Sequence, residues 1–113
     1  MKKHITFIET QAFTKRVELF LSDDDFAEFQ RDLAANPRKG PVIQGTGGLR
    51  KVRWRSQSGG RSGGLRVIYL YLEIGDVIYL VYGFAKSETT DLTSDQKKQL
   101  KHLVEAIKRE YTR

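Results

Sequence analysis

The sequence predicts a small α+β domain with the element order β-α-α-β-β-β-α, a mainly antiparallel sheet with helices packed on it. Three observations carry this expectation. Apolar residues recur at helical spacing early in the chain and again at its C-terminal end. Between those stretches lie short runs rich in β-branched and aromatic residues, bounded by glycine. At 113 residues the chain is long enough to close one hydrophobic core, so residues 1–113 are expected to form a single domain.

Taken in order, His4 to Ile8 reads as the first strand, with Ile5, Phe7 and Ile8 as its apolar content. Thr10 can cap a helix running to about Phe20, which carries Phe13, Val17 and Phe20 or Leu21 on one side. Ser22 is a better cap still. Three aspartates follow it in the first turn, where negative charge suits the helix dipole. Helix capping is the favoured reading of Asp23, Asp24 and Asp25, with metal binding the lesser one. Phe26, Phe29 and Leu33 form the apolar stripe of this second helix. Asn36-Pro37 ends it, because the residue before proline avoids helical geometry.

Arg38 to Gly48 reads as loop, with a short extended piece at Val42-Ile43. Three strands follow, Leu49–Arg55, Leu65–Leu72 and Val77–Phe84, the last two joined by a tight hairpin at Ile74-Gly75-Asp76. The loop Ser56–Gly64 is longer and rich in glycine and serine. Val67, Tyr69 and Tyr71 alternate with Ile68, Leu70 and Leu72, so this strand is apolar on both sides, as a central strand covered on both faces would be. Thr93-Ser94-Asp95-Gln96 is a capping box opening a helix from about Ser94 to Tyr111. Leu100, Leu103, Val104, Ile107 and Tyr111 recur along it at the spacing of a face packed on a sheet. The paired helices between the first two strands are expected to return the chain on the side it left.

Charge singles out one stretch. The net charge is +6 and the pI near 9.7, a balance that points towards an anionic partner, most often nucleic acid. From Leu33 to Leu72 there are eight Lys/Arg and no Asp or Glu. Within it, the run LRKVRWR alternates. Val52 and Trp54 point one way and Lys51, Arg53 and Arg55 the other, because strand side chains have a period of two. A strand that buries Trp54 therefore displays a row of cations on its other face.

Several chemistries are excluded. With no cysteine there is no disulfide framework, thiolate nucleophile or Cys-based zinc site. The chain has no GxGxxG after a strand, no P-loop and no HExxH. Gly45-Thr46-Gly47-Gly48 opens no helix and reads as a turn before it reads as a phosphate cradle. A two-histidine ribonuclease would have to join His4 on an edge strand with His102, which reads as a solvated helix position. The opening MKKHITFIETQAF lacks the apolar core of a signal peptide, and no apolar run approaches the roughly 20 residues of a membrane span. A cytoplasmic protein without membrane contact is expected.

Cleaving RNA without metal or histidine takes a base for the 2′-OH proton, cations for the phosphorane's extra charge, and a donor to the leaving oxygen. Lysine can serve as a base where neighbouring cations disfavour its charged form, and arginine's planar fork grips phosphate oxygens. Lys51, Arg53, Arg66 and Lys86 could supply these parts. On composition alone a passive nucleic-acid-binding surface is the stronger reading.

The segments IQGTGGLRKVRW, RSGGLRVIYLY and YGFAKSETTDLT, followed by a basic C-terminal helix, resemble the HigB branch of the RelE/ParE toxin superfamily over nearly the whole chain. GTGGLRK is the most specific of these. The resemblance implies a RelE-like fold and a ribosome-dependent mRNA interferase, a type II toxin acting on mRNA in the A site without cofactor or metal. It implies as partners a HigA-like helix-turn-helix antitoxin, the ribosome and mRNA, with operator DNA reached only through the antitoxin. Residue by residue, Lys51 and Arg53 match the family's cationic pair on the second strand, Arg66 the arginine opening the third, and Lys86 the basic residue beyond the fourth. Arg50 and Arg61 match phosphate or ribosomal RNA contacts, and Arg55 joins them by its place in the acid-free segment. One departure stands out: RelE has a base-stacking tyrosine shortly after the last basic position, whereas Glu88–Ser94 holds no aromatic. A gyrase poison of the ParE type shares the fold implied here, so fold alone does not choose between activities.

Overall fold

A computed structural model describes residues 4–54, 64–85 and 92–111. The element order is β1 (Thr6–Glu9), α1 (Gln11–Phe20), α2 (Asp23–Ala35), β2 (Arg50–Trp54), β3 (Leu65–Leu72), β4 (Val77–Ala85) and α3 (Ser94–Tyr111). This is the order expected from the sequence. The sheet has four strands in the spatial order β1-β4-β3-β2. β2, β3 and β4 form an antiparallel meander, while β1 lies parallel to β4 at the far edge. The α1–α2 pair thus does not return the chain on the side it left. It carries the chain across the sheet, from the β1 edge to the β2 edge.

The caps that start the helices are those the sequence signals. Thr10 Oγ1 accepts from the Phe13 amide at 3.0 Å and Ser22 Oγ from the Asp25 amide at 3.1 Å. At α3 the capping box closes reciprocally. The Thr93 amide donates to Gln96 Oε1 at 2.9 Å and the Gln96 amide to Thr93 Oγ1 at 3.1 Å.

Two apolar cores lie on opposite faces of the sheet. On one, Phe13 and Val17 of α1 and Phe29 and Leu33 of α2 pack on Val52, Val67, Tyr69, Ile78 and Leu80. On the other, Val104 and Ile107 of α3 pack on Leu49, Ile68, Leu70, Leu72 and Val77. The alternation along β3 feeds both, which is why that strand is apolar throughout.

β4 breaks the alternation. Val67 pairs with Gly83 and Ile68 with Tyr82, but Tyr69 pairs with Leu80, leaving Val81 as an extra residue in a β-bulge. Beyond the bulge every β4 side chain changes face. Leu80 and Ile78 sit in the α1–α2 core, whereas Phe84 sits in the α3 core. The bulge is fastened from α1: Thr10 Oγ1 donates to the Val81 carbonyl at 2.6 Å, and the Thr10 amide to the Leu80 carbonyl at 3.1 Å. Arg16 then reaches the free edge that short β1 leaves behind, its Nε donating to the Gly83 carbonyl at 3.1 Å.

Candidate active site

The acid-free segment enters the sheet through a stitched turn. Thr46 is fully buried, and its Oγ1 donates to the Ile43 carbonyl at 2.7 Å while accepting from the Leu49 amide at 3.2 Å. Gly47, at φ +80°, lies so close to α3 that a Cβ would stand 3.3 Å from Val104. Lys108 Nζ donates to the Gly47 carbonyl at 2.7 Å. This turn fixes where β2 begins and serves structure.

A second loop fixes the outer side of β2. The Lys51 amide donates to the Pro41 carbonyl at 3.1 Å, and Val42 bridges to Arg50. Gly40 is buried with its Cα against that strand, where a Cβ would meet the Lys51 carbonyl oxygen at 2.7 Å. Buried Tyr69 anchors the same loop, its hydroxyl donating to the Pro37 carbonyl at 2.8 Å and accepting from the Gly40 amide at 3.0 Å. Burial pushes the Tyr69 phenol above its ordinary pKa.

The two faces of β2 carry different cations. Val52 is buried in the α1–α2 core, and Trp54 packs edge-on against Phe29 with ring centroids 5.6 Å apart. Arg50 shares their parity, and its Nη1 donates to the Gly40 carbonyl at 2.7 Å and the Arg38 carbonyl at 3.2 Å. Lys51 and Arg53 stand on the α3 face. Across the ladder Lys51 is opposite Ile68 and Arg53 opposite Arg66. Directly opposed side chains on one face sit about 5 Å apart at Cβ, and like charges so placed are destabilising. The fold nonetheless holds Arg53 and Arg66 there. Among the described residues the buried Nη1 of Arg66 has no hydrogen-bond partner. Arg38 pairs with Glu73 at 2.8 Å, near the hairpin that joins β3 to β4.

An unsatisfied guanidinium donor beside a second arginine is an anion-binding arrangement, since a buried polar group without a partner carries a desolvation cost that a ligand oxygen would relieve. Of the sequence-predicted site residues, the structure brings together Lys51, Arg53 and Arg66. It places Arg50 on the other side of the sheet, bonded to backbone carbonyls. Lys86, Arg55 and Arg61 lie outside the described residues. His102 is solvent-exposed on α3 and His4 is exposed ahead of β1. Among the described residues no group of three His, Asp or Glu side chains could hold a metal ion, and no helix is long and apolar enough to cross a membrane.

A family model described as the RelE toxin of the RelE/RelB toxin-antitoxin system matches residues 34–111. The chain belongs to the RelE toxin family. The matched span runs from the end of α2 to the end of α3 and so includes the whole cationic row. Solved structures show the same RelE fold. The isolated E. coli RelE toxin is 14% identical with a TM-score of 0.56, over 95% of this chain and 99% of that one. The intact E. coli RelBE toxin-antitoxin complex matches at 13% identity and TM-score 0.56, over 75% of this chain and 100% of that one. The archaeal RelE–RelB complex from Pyrococcus horikoshii gives 23% identity and TM-score 0.51, over 79% of this chain and 100% of that one. At such identities the likeness is one of fold.

The sequence does not reveal which face of the sheet carries Tyr82. Tyr82 is 38% exposed on the α3 face, in the ladder row of Lys51 and Ile68. Counting by twos from Leu80 places it on the opposite face, because the bulge at Val81 leaves no mark in the sequence.

Proposed function

We propose that this RelE-family toxin is a HigB-type mRNA interferase that cuts translated mRNA in the ribosomal A site. The observation that carries the reading is Arg66, opposed to Arg53 and holding a buried Nη1 with no partner among the described residues. The nucleotide's 2′-oxygen attacks the adjacent phosphorus, and the bond from phosphorus to the 5′-oxygen breaks. A 2′,3′-cyclic phosphate and a 5′-hydroxyl result. The 2′-OH proton passes to a lysine, Lys51 or Lys86, and a neighbouring donor returns a proton to the 5′-oxygen. Arg53 and Arg66 hold the charge that builds on the non-bridging oxygens, where fixed donors act most strongly. The chemistry uses no metal or cofactor.

The partners follow from this role. A HigA-like helix-turn-helix antitoxin restrains the toxin in the cytoplasm and carries it to operator DNA, and Arg55 and Arg61 help dock it on ribosomal RNA. The structurally similar RelE–RelB complexes support an antitoxin partner. Adding purified protein to a translation extract tests the activity. Cleavage within translated mRNA is expected. Topoisomerase-linked DNA breaks would make the protein a gyrase poison, and neither product would leave a passive RNA binder.

A further inference from the structure

The two flanks of α3 are unlike. The helix is fastened at its C-terminal half, where Val104 and Ile107 are buried, Lys108 bonds the Gly47 carbonyl, and Tyr111 meets Tyr79. On the side of β4, Gln99 and Leu103 of its N-terminal half overlook a cavity of about 560 Å³ shared with Val81, Tyr82 and Phe84. The flank on the side of β2 carries lysine instead. At roughly 100° per residue, Lys97, Lys101 and Lys108 fall within about 40° of one another around the helix axis. At a rise of about 1.5 Å per residue they extend over about 17 Å of its length.

This stripe lies against the glycine turn that leads into β2. A Cβ at Gly45 would stand 3.6 Å from Lys97 Cδ, one at Gly47 3.6 Å from Lys101 Cγ, and one at Gly48 3.6 Å from Lys108 Nζ. The stems of Lys97 and Lys101 therefore run along bare backbone, which leaves their ammonium groups to the water beyond. Gly45, Gly47 and Lys101 are exposed, and the positive φ of both glycines keeps ordinary side chains off this floor. Among the described residues neither Lys97 nor Lys101 has an ion-pair partner. Glu105, one turn on from Lys101, turns to His102 at 4.0 Å. The outward side of α3 mixes signs, Lys98 and Arg109 with Asp95 and Glu105, as a solvated face does. The stripe beside the turn is of one sign.

We infer that this stripe is a phosphate track for the mRNA strand on the 3′ side of the cut, holding it along the glycine turn beside Lys97 and Lys101. The inference rests on the RNA-cleavage reading and extends it beyond the scissile nucleotide. The turn passes directly into Arg50 and Lys51, within a stretch from Leu33 to Leu72 that holds no Asp or Glu, so stripe and site belong to one acid-free surface. The stripe is one strand wide. Lysines a helical turn apart stand about 6 Å apart at Cβ, close to the spacing of successive phosphates in an extended strand. The 5′ side of the mRNA is held by codon–anticodon pairing, which leaves the 3′ side to the toxin. Ammonium groups over bare backbone read charge and not bases, so the track is indifferent to sequence.

The test combines Lys97→Gln and Lys101→Gln, which keep the stems on the turn and remove both charges. An unchanged melting temperature confirms that the double variant folds. The first measurement is the affinity for an uncleavable 2′-O-methyl dodecanucleotide, followed by anisotropy as salt is raised. Loss of two contacts should flatten the log–log slope by about 1.4, so the wild-type advantage shrinks about seven-fold between about 50 and 200 mM salt. A trinucleotide, too short to leave the site, should bind both proteins alike. Lys97→Arg with Lys101→Arg should restore the slope. The second measurement is single-turnover cleavage on ribosomes whose mRNA either ends at the A-site codon or continues past it. The ratio of rates on long to short mRNA should fall several-fold in the Gln variant. Equal salt slopes with the dodecanucleotide overturn the inference. An equal defect on both mRNAs overturns it too, by making the stripe a dock for ribosomal RNA. Wild-type protein that cleaves neither mRNA, while the slopes still differ, removes the interferase reading and leaves the phosphate track standing.

Discussion

Arg50 and Arg66 lie on neighbouring strands of one sheet, yet the fold treats them in opposite ways. Arg50 stands on the α1–α2 face and donates to the Gly40 and Arg38 carbonyls. Arg66 stands on the α3 face, opposite Arg53, with a buried Nη1 that donates to none of the described residues. The contrast extends to the cores around them. The α1–α2 core is sealed by interlocking aromatic rings, Phe13 on Phe26 and Phe26 on Phe29. The α3 core is sealed only at one end and open at the other, beside the cations. An arginine that holds a loop in place has its donors satisfied by the protein. Arg66 has no such partner for its Nη1 among the described residues and faces a like-charged neighbour.

The largest expected effect breaks this contrast on the open face. Arg66→Ala should lower ribosome-dependent cleavage by roughly 10²- to 10³-fold, the loss of one donor to a developing oxyanion, about 3 kcal/mol. Stability should hold or rise slightly, because the substitution relieves the opposition with Arg53, worth roughly 0.2–1 kcal/mol. Thermal melting and single-turnover cleavage check the two halves. A folded Arg66→Ala protein with wild-type activity would remove Arg66 from the site.

Arg50→Ala is the mirror experiment. It should cost about 2 kcal/mol of stability, since it removes charged hydrogen bonds to two carbonyls. Cleavage per folded molecule should stay within a few-fold of wild type. Urea denaturation alongside activity at saturating ribosomes separates the effects. A stable, inactive Arg50→Ala variant would move this residue into the RNA-contacting set and erase the distinction between the faces.

The open end of α3 can be loosened by itself. Thr93→Ala removes half of the capping box and should cost about 1 kcal/mol. Hydrogen exchange should speed up across residues 94–100, next to the cavity, before it does so around Val104 and Ile107. Uniform protection along α3 would mean that the helix is equally held at both ends.

The smallest effect lies at the closed end. The hydrogen bond between Tyr79 and Tyr111, at 3.4 Å, together with burial pushes the Tyr79 pKa up to about 12. Tyrosine in the unfolded chain titrates near 10, so the native state holds this proton longer. The resulting stabilisation is fully present below about pH 10 and is lost as pH rises through about 12. Absorbance titration of the phenolates should show Tyr79 titrating late in the wild type, beside the raised Tyr69. In Tyr111→Phe the Tyr79 step should move to lower pH while that of Tyr69 stays.

Much of the fold was legible because local signals name local structure. The caps at Thr10, Ser22 and Thr93, the stop at Asn36-Pro37 and the span of β3 follow from side chains that act within a few residues of themselves. The cationic row was legible for the same reason. Alternation in LRKVRW sorts Lys51 and Arg53 from Val52 and Trp54 as soon as one face is buried. Arg50 was legible too, in that it shares parity with Trp54, but its carbonyl partners at 38 and 40 belong to a loop whose path the sequence does not encode locally.

Tertiary structure alone decided the rest. The α1–α2 pair spans the sheet, which sets β1 beside β4 and leaves the second half of β4 to be closed by Thr10 and Arg16. The register of β2 on β3 opposes Arg53 to Arg66, a long-range pairing that no local pattern specifies. The bulge at Val81 turns Tyr82 and Phe84 towards α3, and a one-residue slip in a strand exchanges its two faces. The sequence by itself determined which elements form and which residues are charged. Which charges meet, and which aromatic stands beside them, was settled only when strands distant in the chain came into register.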